Sequence, residues 1–188
     1  FGNCYYKNPD TTDEQKAADT LAAYSEDLHL GLWLTGKRVE ASWAHTEEPS
    51  SVYELKAYVG HILTRLGAPV GKLKQQAGAN DIFAKSLALA DNNGTVVLEF
   101  GLVKKALTAA FDISAEVYFA DFNWTLLMKK TKKHSVNFTE ISKFPAVSRD
   151  LALLVDKSVE FASIEQIAFA GDRKFLTKVT LLDVYDGK

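Results

Sequence analysis

The stretch DLHLGLWLTG, Asp27 to Gly36, narrows the choice of folds more than any other part of the chain. Leu28, Leu30, Leu32 and Leu34 recur every second residue, while His29, Gly31, Trp33 and Thr35 fall between them. Successive side chains of a strand point to opposite faces, so this pattern predicts a strand with one buried face. Such a strand needs further strands at its edges and an apolar layer against its leucines. VEASWAH, residues 39–45, is placed to continue the sheet. A start inside the apolar run FGNCYY suggests a piece of a longer protein.

The covering layer is legible next. SSVYELKAYVGHILTRLG, residues 50–67, has Ser51 and Glu54 at capping-box spacing and Gly67 as a stop. Val52, Leu55, Val59, Ile62, Leu63 and Leu66 form one helical stripe. Gly60 lies inside it, costs about 1 kcal/mol against alanine, and is expected to mark a close packing contact. SLALADNNGTVVLEFG predicts a hairpin in which Asn93-Gly94 supplies the positive φ angles. LVKKALTAAFDI places Leu102, Val103, Ala106, Leu107, Ala110 and Phe111 at helical spacing. AEVYFADFNW reads as an aromatic strand. The polar run KKTKKHSVNFTEISK, residues 129–143, then marks a domain boundary.

Beyond it the order is strand, helix, strand: Leu151 to Val155, then FASIEQIAFAG with Ile164, Ile167 and Ala168 inward, then LTKVTLLDVYDG. A β-α-β order is the opening half of a ferredoxin-like split unit, which needs a further strand pair and helix. The protein is therefore expected to continue.

Composition excludes several classes of function. The net charge of −2 lacks the footprint of a strong non-specific nucleic-acid binder. The dense basic run Lys129 to His134 reads as a solvated linker or as a phosphate-contacting patch. No apolar run approaches the ~20 residues of a membrane span, and no basic-then-apolar leader is present. Cys4 is the single cysteine, which fits a reducing compartment. His29, His45, His61 and His134 show no metal-ligand spacing, and there is no phosphate loop, GxGxxG or Gly-x-Ser-x-Gly elbow.

One pair of residues carries chemistry. Within VTLLDVYDG, Val179, Leu181, Asp183 and Tyr185 share a face by the two-residue period. A carboxylate that accepts hydrogen bonds and a flat ring two positions on suit the reading of a splayed RNA base. The same residues also suit a plain strand end, with Tyr185 packing and Asp183 opening a turn.

FPAVSRDLALLVD, followed after a short helix by LLDVYDG, resembles the ferredoxin-fold anticodon-binding domain of bacterial phenylalanyl-tRNA synthetase beta subunits. EDLHLGLWLTGKR, the capped helix, LEFGLVKKAL and AEVYFADFNW resemble the same subunit's synthetase-like module. The resemblance implies an α+β chain. Residues 1–139 would be a class II synthetase-like, non-catalytic antiparallel sheet with helices. Residues 140–188 would be an incomplete ferredoxin-fold anticodon-binding domain, a partial βαβ unit. It implies an α2β2 phenylalanine–tRNA ligase in which the alpha subunit binds ATP, magnesium and phenylalanine, and in which the beta subunit docks alpha and reads the anticodon of tRNA(Phe). It further implies a cytoplasmic location, no membrane partner, and neither cofactor nor metal in this part of the chain. The matching positions, Asp183 and Tyr185, would contact the first anticodon base, Tyr185 by stacking. Arg149 would face tRNA phosphate or pair with Asp150 or Asp156. Phe144, held extended by Pro145, would anchor the linker. Of the four arginines, Arg38, Arg65, Arg149 and Arg173, none stands in a GxGxxxER-like context, so no catalytic residue is expected. The rival reading is a protein–protein interaction module without a tRNA role, which expects Tyr185 buried against its own helix.

Overall fold

The alternating leucines form the strand they predict. In the computed structural model, which describes residues 1–7, 21, 23–68, 73–131, 138 and 140–185, β2 runs Tyr24–Thr35. The opening segment is β1, Gly2–Lys7, antiparallel to β2. Six strands make the main sheet in the order β1-β2-β8-β7-β6-β5, where β5 is Lys74–Ala77, β6 Phe83–Ala90, β7 Val96–Val103 and β8 Val117–Asn123. Each neighbouring pair in it runs antiparallel. The chain divides into two compact units, Phe1–Phe138 and Thr139–Lys188.

Two helices cover one sheet face. Helix α1, Val52–Arg65, starts where Ser51 Oγ accepts from Glu54 N at 3.3 Å. The reciprocal half of the capping box does not form, because Glu54 Oε1 accepts from Tyr58 Oη at 3.1 Å instead. At the other end Gly67 has φ +65°, with Gly67 N donating to Thr64 O and Ala68 N to Leu63 O. Those are the paired bonds of a Schellman ending, which requires a left-handed residue there. Leu55, Val59 and Leu63 pack with Leu98, Phe100, Tyr118, Ala120 and Phe122, and Leu30, Leu32 and Leu34 flank this core. Helix α3, Trp124–Thr131, adds Leu127; α2 is the five-residue helix Lys105–Ala109.

Several expectations need correction. Gly60 is no packing contact, since a Cβ added there meets nothing within 4 Å. The hairpin turn has one left-handed residue, Gly94 at φ +81°, and Asn93 is not among the positive-φ residues. Asp91 N bonds Thr95 O and Gly94 N bonds Asp91 O, so this is a longer turn ending in a glycine rather than a two-residue one. Leu102 and Val103 belong to β7, because the ladder to Tyr118 and Phe83 overrides a helical spacing. VEASWAH does not extend the main sheet. Lys37–Val39 (β3) pairs with Glu48–Pro49 (β4) in a separate two-stranded ribbon, and a β-bulge or irregularity interrupts its register. Lys129 and Lys130 lie in α3, and Lys130 Nζ donates to Asp91 Oδ2 at 2.7 Å. Residues 132–137, the rest of that run beyond the helix and the start of the linker, lie outside the described residues.

In the second unit, α4 is Phe161–Gly171 as the spacing predicts. Its half-buried stripe holds Phe161, Ile164, Glu165 and Ala168, and Ile167 is 73% exposed rather than inward. Leu151 to Val155 joins no ladder among the described residues, and Leu154 is fully exposed. In a split β-α-β unit another strand lies between the two parallel ones, so they cannot pair with each other. The described residues supply neither that intervening strand nor the second helix. Phe144 is 84% exposed and anchors nothing. No helix of the described residues is long and apolar enough to cross a membrane.

Candidate functional site

The run 176–185 carries no regular secondary structure. Asp183 Oδ1 accepts from Val184 N at 2.7 Å, which fixes the carboxylate beside its own backbone. The second oxygen remains an acceptor for a base's N–H. Tyr185 is 80% exposed, so its ring is not buried against α4, as the interaction-module reading expects. Leu181, Leu182 and Val184 are exposed as well, so burial does not set Asp183 and Tyr185 apart from their neighbours.

Arg149 is not brought to either expected acid. Its Nη1 donates to Ser148 O at 3.4 Å, and it forms no ion pair among the described residues. Asp156 is engaged elsewhere, with Oδ1 accepting from Ser158 N at 2.9 Å and Ser158 Oγ at 2.7 Å. Those bonds hold its carboxyl below the usual carboxylate range.

A second polar constellation lies on the sheet face opposite α1 and α3. His29, Gly31 and Trp33 of β2 point there, beside Asp121 and Phe119 of β8. His29 Nδ1 lies 2.7 Å from Asp121 Oδ1, and Tyr6 Oη lies 3.1 Å from His29 Nε2. Asn123 Nδ2 donates to Asp27 Oδ2 at 3.3 Å. Burial raises the Tyr6 phenol, and Cys4, Asp121 and Asp27 push it further. A phenol raised in this way stays protonated and serves as a donor, not a nucleophile. Trp33 stacks on Phe119 with centroids 3.9 Å apart, and a Cβ at Gly31 would crowd that ring pair, 3.2 Å from Phe119 Cε2 and 3.4 Å from Trp33 Nε1. Sequence reading missed this group because its members meet only through the β1-β2-β8 register.

That face does not fit a magnesium nucleotide. By register its charged side chains are Asp27, Asp121 and Glu99, with Lys74 at the β5 edge, a net acidic set that opposes phosphate, and the arginines lie in β3, α1 and the second unit. Among the described residues no group of three His, Cys, Asp or Glu side chains is placed to hold a metal ion.

Comparison with known proteins gives two family matches in chain order. The family described as phenylalanyl tRNA synthetase beta chain CLM domain matches residues 1–124, and the ferredoxin-fold anticodon binding domain matches residues 142–188. A phenylalanine–tRNA ligase beta subunit of Bacteroides thetaiotaomicron is 54% identical over 188 residues, covering all of this chain and 23% of the relative. Beta subunits of Bacteroides fragilis and Porphyromonas gingivalis are 50% and 42% identical, again over all of this chain and 23% of their own lengths. The chain thus spans about a quarter of the curated relatives it matches.

Proposed function

Because this chain belongs to the family of phenylalanyl tRNA synthetase beta chain CLM domains, we propose that it is the non-catalytic, tRNA-reading part of a phenylalanine–tRNA ligase beta subunit. The observation that carries the reading is the ordered pair of family matches, a synthetase-like module followed by an anticodon-binding one. The boundary falls at residues 139/140. In this reading the alpha subunit binds ATP and phenylalanine, and the whole enzyme uses ATP and magnesium. The assembly is an α2β2 heterotetramer acting on tRNA(Phe) in the cytoplasm.

Within this reading Tyr185 stacks on the first anticodon base and Asp183 accepts from its donor edge. Arg149, which pairs with no acid among the described residues, contacts backbone phosphate, which positions the complex without specifying sequence. The test is a titration of the full-length assembly with the tRNA(Phe) anticodon stem-loop. Tyr185→Ala weakens binding by about 1–3 kcal/mol if the ring stacks, whereas Tyr185→Phe retains most of it. An isotherm unchanged by Tyr185→Ala removes the ring from the site.

A further inference from the structure

The second unit segregates its charges. The match to a ferredoxin fold makes its strand, helix, strand order a β-α-β unit, in which the helix returns the chain and both extended runs set out from one end. Arg149 precedes the first run, and Arg173, Lys174 and Lys178 lie between the end of α4 and the early part of the second. Asp150 and Asp172 are the acids beside them, so this entry end holds four cations against two carboxylates. The exit end holds Asp156, Glu160 and Asp183 against Lys157.

The entry-end cations are available to a ligand. All four residues are exposed and form no ion pair among the described residues. Asp172 is turned to the backbone, its Oδ1 accepting from Lys174 N and Phe175 N, both at 2.9 Å. That closed turn fixes where Arg173 and Lys174 leave the chain. Lys174 Nζ stands 5.2 Å from the centroid of the exposed Phe175 ring, which steadies the ammonium without neutralising it. Offsetting the helix dipole does not account for the group. That effect is confined to a helix's last turn, and α4 has no basic residue there.

The exit end has the opposite character. A carboxylate that reads a base must approach a polyanion, and Asp183 does so from a net acidic end. Attraction for RNA therefore has to come from elsewhere on the unit, and contacts to phosphate are its general source.

Given the tRNA-reading role, on which this rests, we propose that Arg173, Lys174 and Lys178 join Arg149 in a phosphate-binding end of the second unit. It grips the RNA backbone away from the base that Asp183 and Tyr185 read. At about 3.3 Å per residue, an extended run from Lys178 to Tyr185 spans roughly 20 Å, so the phosphates held lie several nucleotides from that base.

The test is binding of tRNA(Phe) to the full-length alpha–beta assembly across a potassium chloride series. In the triple variant Arg173→Gln, Lys174→Gln, Lys178→Gln, the slope of log affinity against log salt becomes shallower by about two to three, since each phosphate contact contributes nearly one. At low salt this variant binds roughly tenfold or more weaker, and the gap closes as salt rises. Its preference among anticodon bases is unchanged, because phosphate contacts position a complex without specifying sequence. The charge-preserving variant Arg173→Lys, Lys174→Arg, Lys178→Arg keeps the wild-type slope. An unchanged slope in the glutamine variant overturns the proposal, as does a slope lost equally in the charge-preserving one. If the wild-type assembly does not bind tRNA(Phe), the tRNA-reading role fails and takes this proposal with it. If Tyr185→Ala weakens binding while the glutamine variant matches wild type, the phosphate-binding end alone is wrong.

Discussion

Helix α1 offers a two-sided test of the fold, because one change on it should stabilise and another should destabilise. Gly60 sits mid-helix with open space where a Cβ would go. Gly60→Ala therefore gains the helix-propensity difference, about 1 kcal/mol, with no clash to offset it. For a unit of this size that corresponds to a rise in Tm of roughly 2–4 °C. Leu55, fully buried between α1 and the sheet, behaves oppositely. Leu55→Ala removes its contacts and leaves a cavity, costing about 2–5 kcal/mol. Tryptophan fluorescence during urea unfolding is the assay, because Trp33, Trp43 and Trp124 all lie in the first unit. A Gly60→Ala variant that loses stability would mean a neighbour presses on that helix face. Equal losses at both positions would mean the helix is rotated from the placement described here.

Two further perturbations probe the sheet and its turn. A Cβ at Gly101 would lie 2.1 Å from Lys85 O and 2.7 Å from Ser86 Cα. Both are backbone, so Gly101→Ala must spread β6 from β7 and should cost about 1–3 kcal/mol or more by the same urea assay. A neutral result would show that the two strands are not so closely apposed. Asp91 accepts from Lys130 Nζ and from the backbone of Thr95 and Asn93, the lysine bond being the largest influence, and its carboxyl is held below the usual range. A depressed carboxylate contributes stability above its unfolded value near ~4, and loses it as pH falls through the lower folded value. NMR titration should find Asp91 below the ordinary carboxylate range, and Asp91→Asn should flatten the acid limb of the stability curve. A titration at or above the ordinary value contradicts the Lys130 contact.

What the sequence disclosed was local. The leucine alternation predicted β2, and Ser51 and Gly67 marked both ends of α1, because strand period and helix caps are written in neighbouring residues. What it concealed was set by distant partners. Leu102 and Val103 fit a helix by spacing, yet cross-strand pairing keeps them in β7. Gly60 looked like a packing residue, but only the placement of other elements shows open space beside it. The Tyr6–His29–Asp121 group joins positions 92 residues apart in its closest contact. Of the candidate RNA site, Asp183 and Tyr185 come from the two-residue period alone, and their run joins no ladder among the described residues, while the bonds from Ser158 to Asp156 are visible only in the structure.

The claim on which the functional account rests is that Asp183 reads the edge of the first anticodon base while Tyr185 holds its face. Stacking tolerates any base, so sequence preference should reside in the carboxylate alone. The decisive measurement compares anticodon stem-loops of tRNA(Phe) that differ only at that base, bound to the full-length assembly with wild-type Asp183 or Asp183→Ala. The account predicts a preference of roughly tenfold in the wild type that collapses in the variant, as expected for one hydrogen-bonded base contact. The same preference in both proteins would contradict it.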